Sequence, residues 1–123
     1  MIIGIGIDLM DVEKIEKDVQ SRTYLRKIFT GAEILECTSV ANSAERFAGR
    51  FAAKEAFMKA IGKGIRQQVW FSQIEILNHE NGQPYIQVKD EAERSLLALA
   101  VQNVHVSITH RKRYAAAVVI LEK

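Results

Sequence analysis

Hydrophobic and polar positions change their spacing along this chain in a way that marks out its elements. Over residues 1–8, Ile3, Ile5 and Ile7 fall on one side of an extended chain, with Ile2, Gly4, Gly6 and Asp8 on the other. A period of two predicts a strand, and the glycines beside Asp8 leave room for another element to approach the acid. Residues 10–19 have the spacing of a short helix, and Thr30 followed by Glu33 predicts a capping box that opens a second over residues 31–38. The strongest helical segment runs from Ser43 to Ile61, rich in Ala, Phe, Lys and Glu, and stops at Gly62 and Gly64. Residues 69–77 and 85–88 read as strands joined through the Asn81-Gly82 turn, making a hairpin. Residues 90–101 open with acids and carry Leu/Ala spacing, which predicts a helix. Two further strands follow over 104–109 and 114–121, around residues 110–113. Short turns between strands imply antiparallel pairing, and the long helix must lay its apolar face on the sheet. The expected fold class is α+β, an antiparallel sheet packed on one long central helix with shorter helices.

The chain has 123 residues, 48% of them hydrophobic, which suffices for one core and falls short of two, so residues 1–123 are read as one domain. A domain this small has little room for a deep pocket of its own and favours a site completed at a subunit interface. Cys37 is the only cysteine, and the start of the chain lacks a secretory pattern, so the expected compartment is the cytoplasm. No stretch approaches the ~18–20 apolar residues of a membrane span, and no membrane partner is expected. The net charge is only +2, but residues 46–66 hold Arg46, Arg50, Lys54, Lys59, Lys63 and Arg66 around Glu55. That concentration suits phosphates. A second cluster, Lys14, Lys17, Arg22, Arg26 and Lys27, is interleaved with acids and suits an acidic protein; both clusters also fit solvated helix faces. Nucleic acid is not expected, because Phe47, Phe51 and Phe57 occupy helix-core positions instead of alternating with cations on an exposed face.

Glu55 points along a helix face otherwise built for burial, beside Ala48, Ala52, Lys59 and Gly62. An ionised carboxylate there needs compensation, either from Lys59 four residues on or from a bound cation. Asp8 shares the open glycine side of its strand and is either the N-cap of the next helix or a second acid converging on Glu55. Two carboxylates supplemented by water and phosphate oxygens are a usual way to hold Mg²⁺. His105, Ser107 and Thr109 alternate on one face of their strand as a row of polar groups that suits a phosphate or a solvated face. They lack the orienting acid of a nucleophilic triad. Gly4-Ile5-Gly6 lacks the third glycine and the parallel context of a dinucleotide fingerprint, and the spacings of P-loop and zinc sites are missing.

Three segments in this order resemble the holo-acyl-carrier-protein synthase family. They are Gly4-Ile5-Gly6-Ile7-Asp8, the run Arg50-Phe51-Ala52-Ala53-Lys54-Glu55-Ala56-Phe57-Met58-Lys59-Ala60, and Val104-His105-Val106-Ser107-Ile108-Thr109-His110. The Asn81-Gly82-Gln83-Pro84-Tyr85 turn and the Tyr114-Ala115-Ala116-Ala117 strand extend the likeness over almost the whole chain. The resemblance implies a trimer with coenzyme A in clefts between subunits. It also implies a metal, Mg²⁺ or Mn²⁺, held by Asp8 and Glu55 on the coenzyme's pyrophosphate, with Lys59 near the reacting phosphate. A serine of an acidic acyl carrier protein attacks the β-phosphate, 4′-phosphopantetheine is transferred in support of fatty acid biosynthesis, and adenosine 3′,5′-bisphosphate leaves. Such chemistry rests on alignment and charge neutralisation, and the serine proton goes to a metal-bound water or to Glu55. Arg50, Lys54, Met58, His105 and Ser107 are expected near the coenzyme, with Gly62, Gly82 and Pro84 beside it.

Lys14, Arg22, Arg26 and Lys27 are expected to receive the carrier. Lys14 stands where the family commonly has arginine, which keeps the charge and loses the bidentate fork. Two other classes compete: a noncatalytic trimeric module that binds coenzyme A or a nucleotide without metal, and a structural oligomer with Glu55 and Lys59 as an ion pair.

Overall fold

In the computed structural model, which describes residues Met1–Lys123, an α+β architecture is arranged around one long helix. The elements are β1 (Ile2–Asp11), α1 (Val12–Asp18), α2 (Arg22–Ile28), α3 (Gly31–Thr38), α4 (Ser43–Ile61), β2 (Ile74–Asn78), β3 (Pro84–Val88), α5 (Asp90–Ala98), β4 (Asn103–Arg111) and β5 (Tyr114–Glu122). All pairing is antiparallel, in two sheets: a three-stranded sheet of order β1-β5-β4 and the β2-β3 hairpin.

Local chemistry sets the boundaries. β1 runs three residues past the expected end because Asp11, not Asp8, caps α1, accepting from the amides of Glu13 at 2.9 Å and Lys14 at 3.3 Å. Thr30 and Glu33 form the expected capping box at α3. α4 ends at Gly62 in the left-handed conformation, φ 71°, which glycine adopts without penalty. Sequence periodicity missed α2, a seven-residue helix whose start is set by the Ser21 hydroxyl accepting from the Tyr24 amide. The strand expected from Val69 begins only at Ile74, because a tight turn at Phe71–Gln73 intervenes. The helix expected through residue 101 ends at Ala98, and Ala100 turns the chain with a left-handed φ of 56°.

α4 packs across the three-stranded sheet on one side and meets α1 and α3 on the other. Ala52, Ala53, Ala56 and Phe57 join Ile74, Ile76, Val119 and Leu121 in the larger core. Phe47 and Ala48 join Ile15, Phe29 and Cys37 in the smaller one. Fully burying a side chain such as Phe57 or Leu121 stabilises the fold by ~1.5–3 kcal/mol each. A bulge between Ile2 and Gly4 turns Ile3 toward the core, away from the side it was expected to share with Ile5 and Ile7. Ile5, Ile7 and Leu9 remain exposed on the outer face of the sheet. No helix is long and apolar enough to cross a membrane.

The main chains of β1 and α4 approach each other closely across the core. A Cβ on Gly6 would strike the Ala56 carbonyl and lie 2.8 Å from the Ala60 nitrogen, and one on Gly4 would strike the Ala60 carbonyl. Gly6→Ala should accordingly lower the unfolding free energy by ~1–3 kcal/mol, the usual penalty of overpacking. Gly31→Ala, where a Cβ meets open space, should move it by no more than about 0.5 kcal/mol. Urea titrations of the two variants check this, and equal effects would contradict the glycine contact.

Candidate functional site

The close seating of β1 on α4 brings three charged side chains together. Ala56 and Ala60 lie against Gly6 and Gly4, so the residues just before them, Glu55 and Lys59, flank Asp8. The Lys59 ammonium donates to Asp8 Oδ1 at 3.2 Å and to the Ile7 carbonyl at 3.0 Å. Lys59 thus pairs across to the strand, and the ion pair within the helix between Glu55 and Lys59 does not form. The Asp8 side chain is 15% exposed, and its Oδ2 is buried with no hydrogen-bond partner. Burial lifts the Glu55 carboxyl above the ordinary carboxylate range, the Asp8 charge adds to the lift, and Lys59 opposes it. Two acids therefore stand beside one exposed lysine that pairs only with Asp8, and one carboxylate oxygen is unsatisfied. That deficit of positive charge is what a divalent cation corrects, so the residues present fit Mg²⁺ or Mn²⁺. No third His, Cys, Asp or Glu completes a protein-only cage, leaving further positions to water and ligand oxygens. Glu55 and Lys59 also line a cavity with Met58, Gly62, Lys63 and Arg66.

A second cavity of about 110 Å³ lies on another face of α4, lined by Arg46, Gly49, Arg50, Asn78, Gly82, Pro84, Ile108 and His110. Helical steps of about 100° put Arg46 and Arg50 roughly opposite Glu55 and Lys59 around the helix axis. Arg50 is 4% exposed and is held by Glu36 at 3.1 Å and Asn78 Oδ1 at 2.8 Å. The Nε atoms of Arg46 and Arg50 are buried without partners. Two guanidinium groups around a space of this size have the charge and geometry to receive a phosphate. The expected Arg50, Gly82 and Pro84 are thus together. Arg46 belongs to the cationic run read as suited to phosphates, while Asn78 and His110 were not anticipated there. His110 was legible in principle, since it shares the inward parity of Val104, Val106 and Ile108 on β4.

Other expected residues lie away from both cavities within this chain. Lys54 is completely buried, with its ammonium donating to Glu33 Oε1 at 2.8 Å and to the carbonyls of Phe71 and Ile74. Its three donors are consumed, so it holds α4 to α3 and to the start of β2 and has nothing to offer a phosphate. His105 and Ser107 lie on the exposed outer face of the sheet, where His105 Nε2 is 3.0 Å from Glu122 Oε1. Neither borders either cavity of this chain. Among the expected carrier-facing cations, Arg22 and Arg26 rim a groove floored by Leu25 and Phe29. Lys14 is exposed and paired with Asp18 at 2.8 Å, and Lys27 is exposed in the last turn of α2.

A sequence model of the 4′-phosphopantetheinyl transferase superfamily matches residues 4–119. Holo-[acyl-carrier-protein] synthase of Koribacter versatilis is 43% identical, with 99% of each chain covered. The synthase of Halothermothrix orenii is 38% identical over 100% of this chain and 99% of its own. Among solved structures, a holo-(acyl-carrier-protein) synthase from Bacillus anthracis in complex with CoA (3′,5′-ADP) superposes with a TM-score of 0.83 at 38% identity, covering 100% of this chain and 98% of that one. The Helicobacter pylori synthase in complex with coenzyme A also gives 0.83, at 29% identity, over 96% and 99% of the two chains. With the acids, the lysine and the phosphate pocket in place on this fold, the full-length match shows that the chain belongs to the holo-[acyl-carrier-protein] synthases of the 4′-phosphopantetheinyl transferase superfamily.

Proposed function

We propose that this protein transfers 4′-phosphopantetheine from coenzyme A to a serine of apo acyl carrier protein, releasing adenosine 3′,5′-bisphosphate, as a cytoplasmic step of fatty acid biosynthesis. The observation that carries this reading is the convergence of Asp8, Glu55 and Lys59 in a chain whose structural neighbours hold coenzyme A. Asp8 and Glu55 would hold Mg²⁺ or Mn²⁺, which supplies neutralisation of the pyrophosphate oxygens. Lys59, anchored on the Ile7 carbonyl, orients a positive charge toward the phosphate that is attacked. Glu55 stands beside the reacting group as the acceptor for the proton of the carrier serine. Met58 and Gly62 border the path of the pantetheine arm. Once the pyrophosphate lies at the acids, the phosphate left on coenzyme A is the one on the 3′ ribose position. Arg46, Arg50 and His110 supply its pocket, with Gly82 and Pro84 flanking the adenine.

These two cavities sit on opposite faces of α4, so we take each coenzyme A to lie between two copies, one giving the acids and the other the phosphate pocket. The uncovered apolar row of Ile5, Ile7 and Leu9 is the surface on which copies join, and head-to-tail contact closes into the expected trimer. Lys14, Arg22, Arg26 and Lys27 then steer the acidic carrier.

Incubation with apo carrier, coenzyme A and Mg²⁺, followed by intact-mass analysis, should show the phosphopantetheine mass on the carrier, and chelator should abolish it. Asp8→Ala should lose at least ~100-fold in rate while remaining folded, on the scale of removing one charge-stabilising group; full activity would contradict the metal role. Reversing Lys14 and Arg22 to Glu should raise KM for carrier about tenfold in low salt, with KM for coenzyme A unchanged.

Glu55 also gives a stability test. Its folded pKa lies above the ordinary 4.5. The stability it contributes is full below that value and is lost as pH rises through the folded pKa. At neutral pH without metal, its ionised form is a burden. Glu55→Gln should therefore raise the metal-free Tm at pH 7 by a few degrees and remove any further rise on adding Mg²⁺.

A further inference from the structure

The phosphate pocket contains a histidine whose orientation is fixed from behind. His110 Nδ1 lies 3.0 Å from Glu45 Oε1, and that same oxygen accepts the Lys112 amide at 3.1 Å. One carboxylate at the start of α4 thus binds both the last residues of β4 and the turn that follows. The hydrogen bond from His110 is the first reason the Glu45 carboxyl is held below the ordinary range, with Lys112 and Arg46 acting in the same direction. Glu45 is therefore ionised near neutrality and only accepts, which assigns the Nδ1 proton to His110 by its partner. The free ring nitrogen is Nε2, on the ring that lines the pocket with Arg46 and Arg50. The other charged groups about the pocket are Glu36, already engaged by Arg50, and Lys112 in the turn.

We propose that Glu45 is a positioning residue that holds the His110 ring with Nε2 toward the phosphate pocket, and so sets the preference for coenzyme A over 3′-dephospho-coenzyme A. This rests on the reading of that pocket as the seat of the 3′-phosphate. A phosphate monoester and an imidazole form a hydrogen bond with the proton on either partner. Whichever of them carries it, a hydrogen bond forms along Nε2. With the ring free to turn over, a carbon edge or Nδ1 meets the ligand for part of the time and the bond is weakened. Glu45 touches no ligand itself and acts through the ring. A ligand lacking the 3′-phosphate gains nothing from that alignment.

The test uses the assembled enzyme with apo carrier, Mg²⁺ and either coenzyme A or 3′-dephospho-coenzyme A. Glu45→Gln should raise KM for coenzyme A about tenfold, the worth of one charge-assisted hydrogen bond, with kcat and the KM for the dephospho form unchanged. His110→Ala should show the same loss of preference, and the double variant should add nothing further. Arg46→Gln tests the pocket reading separately. If Arg46→Gln erodes the preference and Glu45→Gln does not, the pocket stands and the role of Glu45 is overturned. If neither does, the pocket reading falls and the proposal with it. Binding provides a measurement independent of turnover. In nitrogen-detected NMR of the wild-type enzyme, His110 should carry its proton on Nδ1. Nε2 should shift with adenosine 3′,5′-bisphosphate and not with adenosine 5′-monophosphate; equal shifts would overturn the proposal.

Discussion

The contact of two glycines with one helix backbone decides where everything else lies. Gly4 and Gly6 let α4 settle on β1 until the carbonyls of Ala60 and Ala56 occupy the space a side chain would fill. At that separation, an acid on the strand and the charged residues of the helix come within hydrogen-bonding reach. A helix held further off by even one methyl group would leave Lys59 unable to bridge to Asp8 and would separate the acids. Backbone proximity is thus converted into electrostatic tension: a buried carboxylate oxygen without a partner and a second carboxyl raised by burial. The fold tolerates this tension because the surrounding alanine and aliphatic packing is close and continuous.

The same helix divides its circumference among unlike tasks. One stripe supplies core alanines and Phe57, another carries Glu55 and Lys59, and a third carries Arg46 and Arg50. Such crowding explains why its composition is so mixed for a central helix. It also leaves two cavities pointing away from each other on one helix, beside an uncovered apolar sheet face.

Much of this was legible in the chain. The capping box at Thr30 and Glu33, the stop at Gly62 and the Asn81-Gly82 hairpin have local causes, and local causes leave local traces. The glycine parity beside Asp8 was legible because sterics at a strand depend on alternation alone. Lys54 was not. Its neighbours in sequence are a basic helix, and only three-dimensional packing reveals that Glu33 and two carbonyls enclose it. His110 was passed over for His105 because its position near the strand end disguised an inward parity that the valines before it shared. α2 escaped notice because three of its seven residues, Arg22, Arg26 and Lys27, are cations and its start is marked only by the Ser21 cap.

The Lys54 and Glu33 pair limits which single substitutions this chain can accept. Both side chains have zero exposure, and Glu33 also accepts from the amides of Thr30 and Ile76 at 2.9 Å. Replacing either residue alone strands a bare charge in the interior, at a cost of about 3–5 kcal/mol, while replacing both with apolar groups is often close to neutral. A domain whose whole stability is about 5–15 kcal/mol cannot drift through that intermediate without spending a large part of its reserve in the unfolded ensemble. Single replacement is blocked by the depth of the valley between two acceptable cores rather than by any strength of the pair itself.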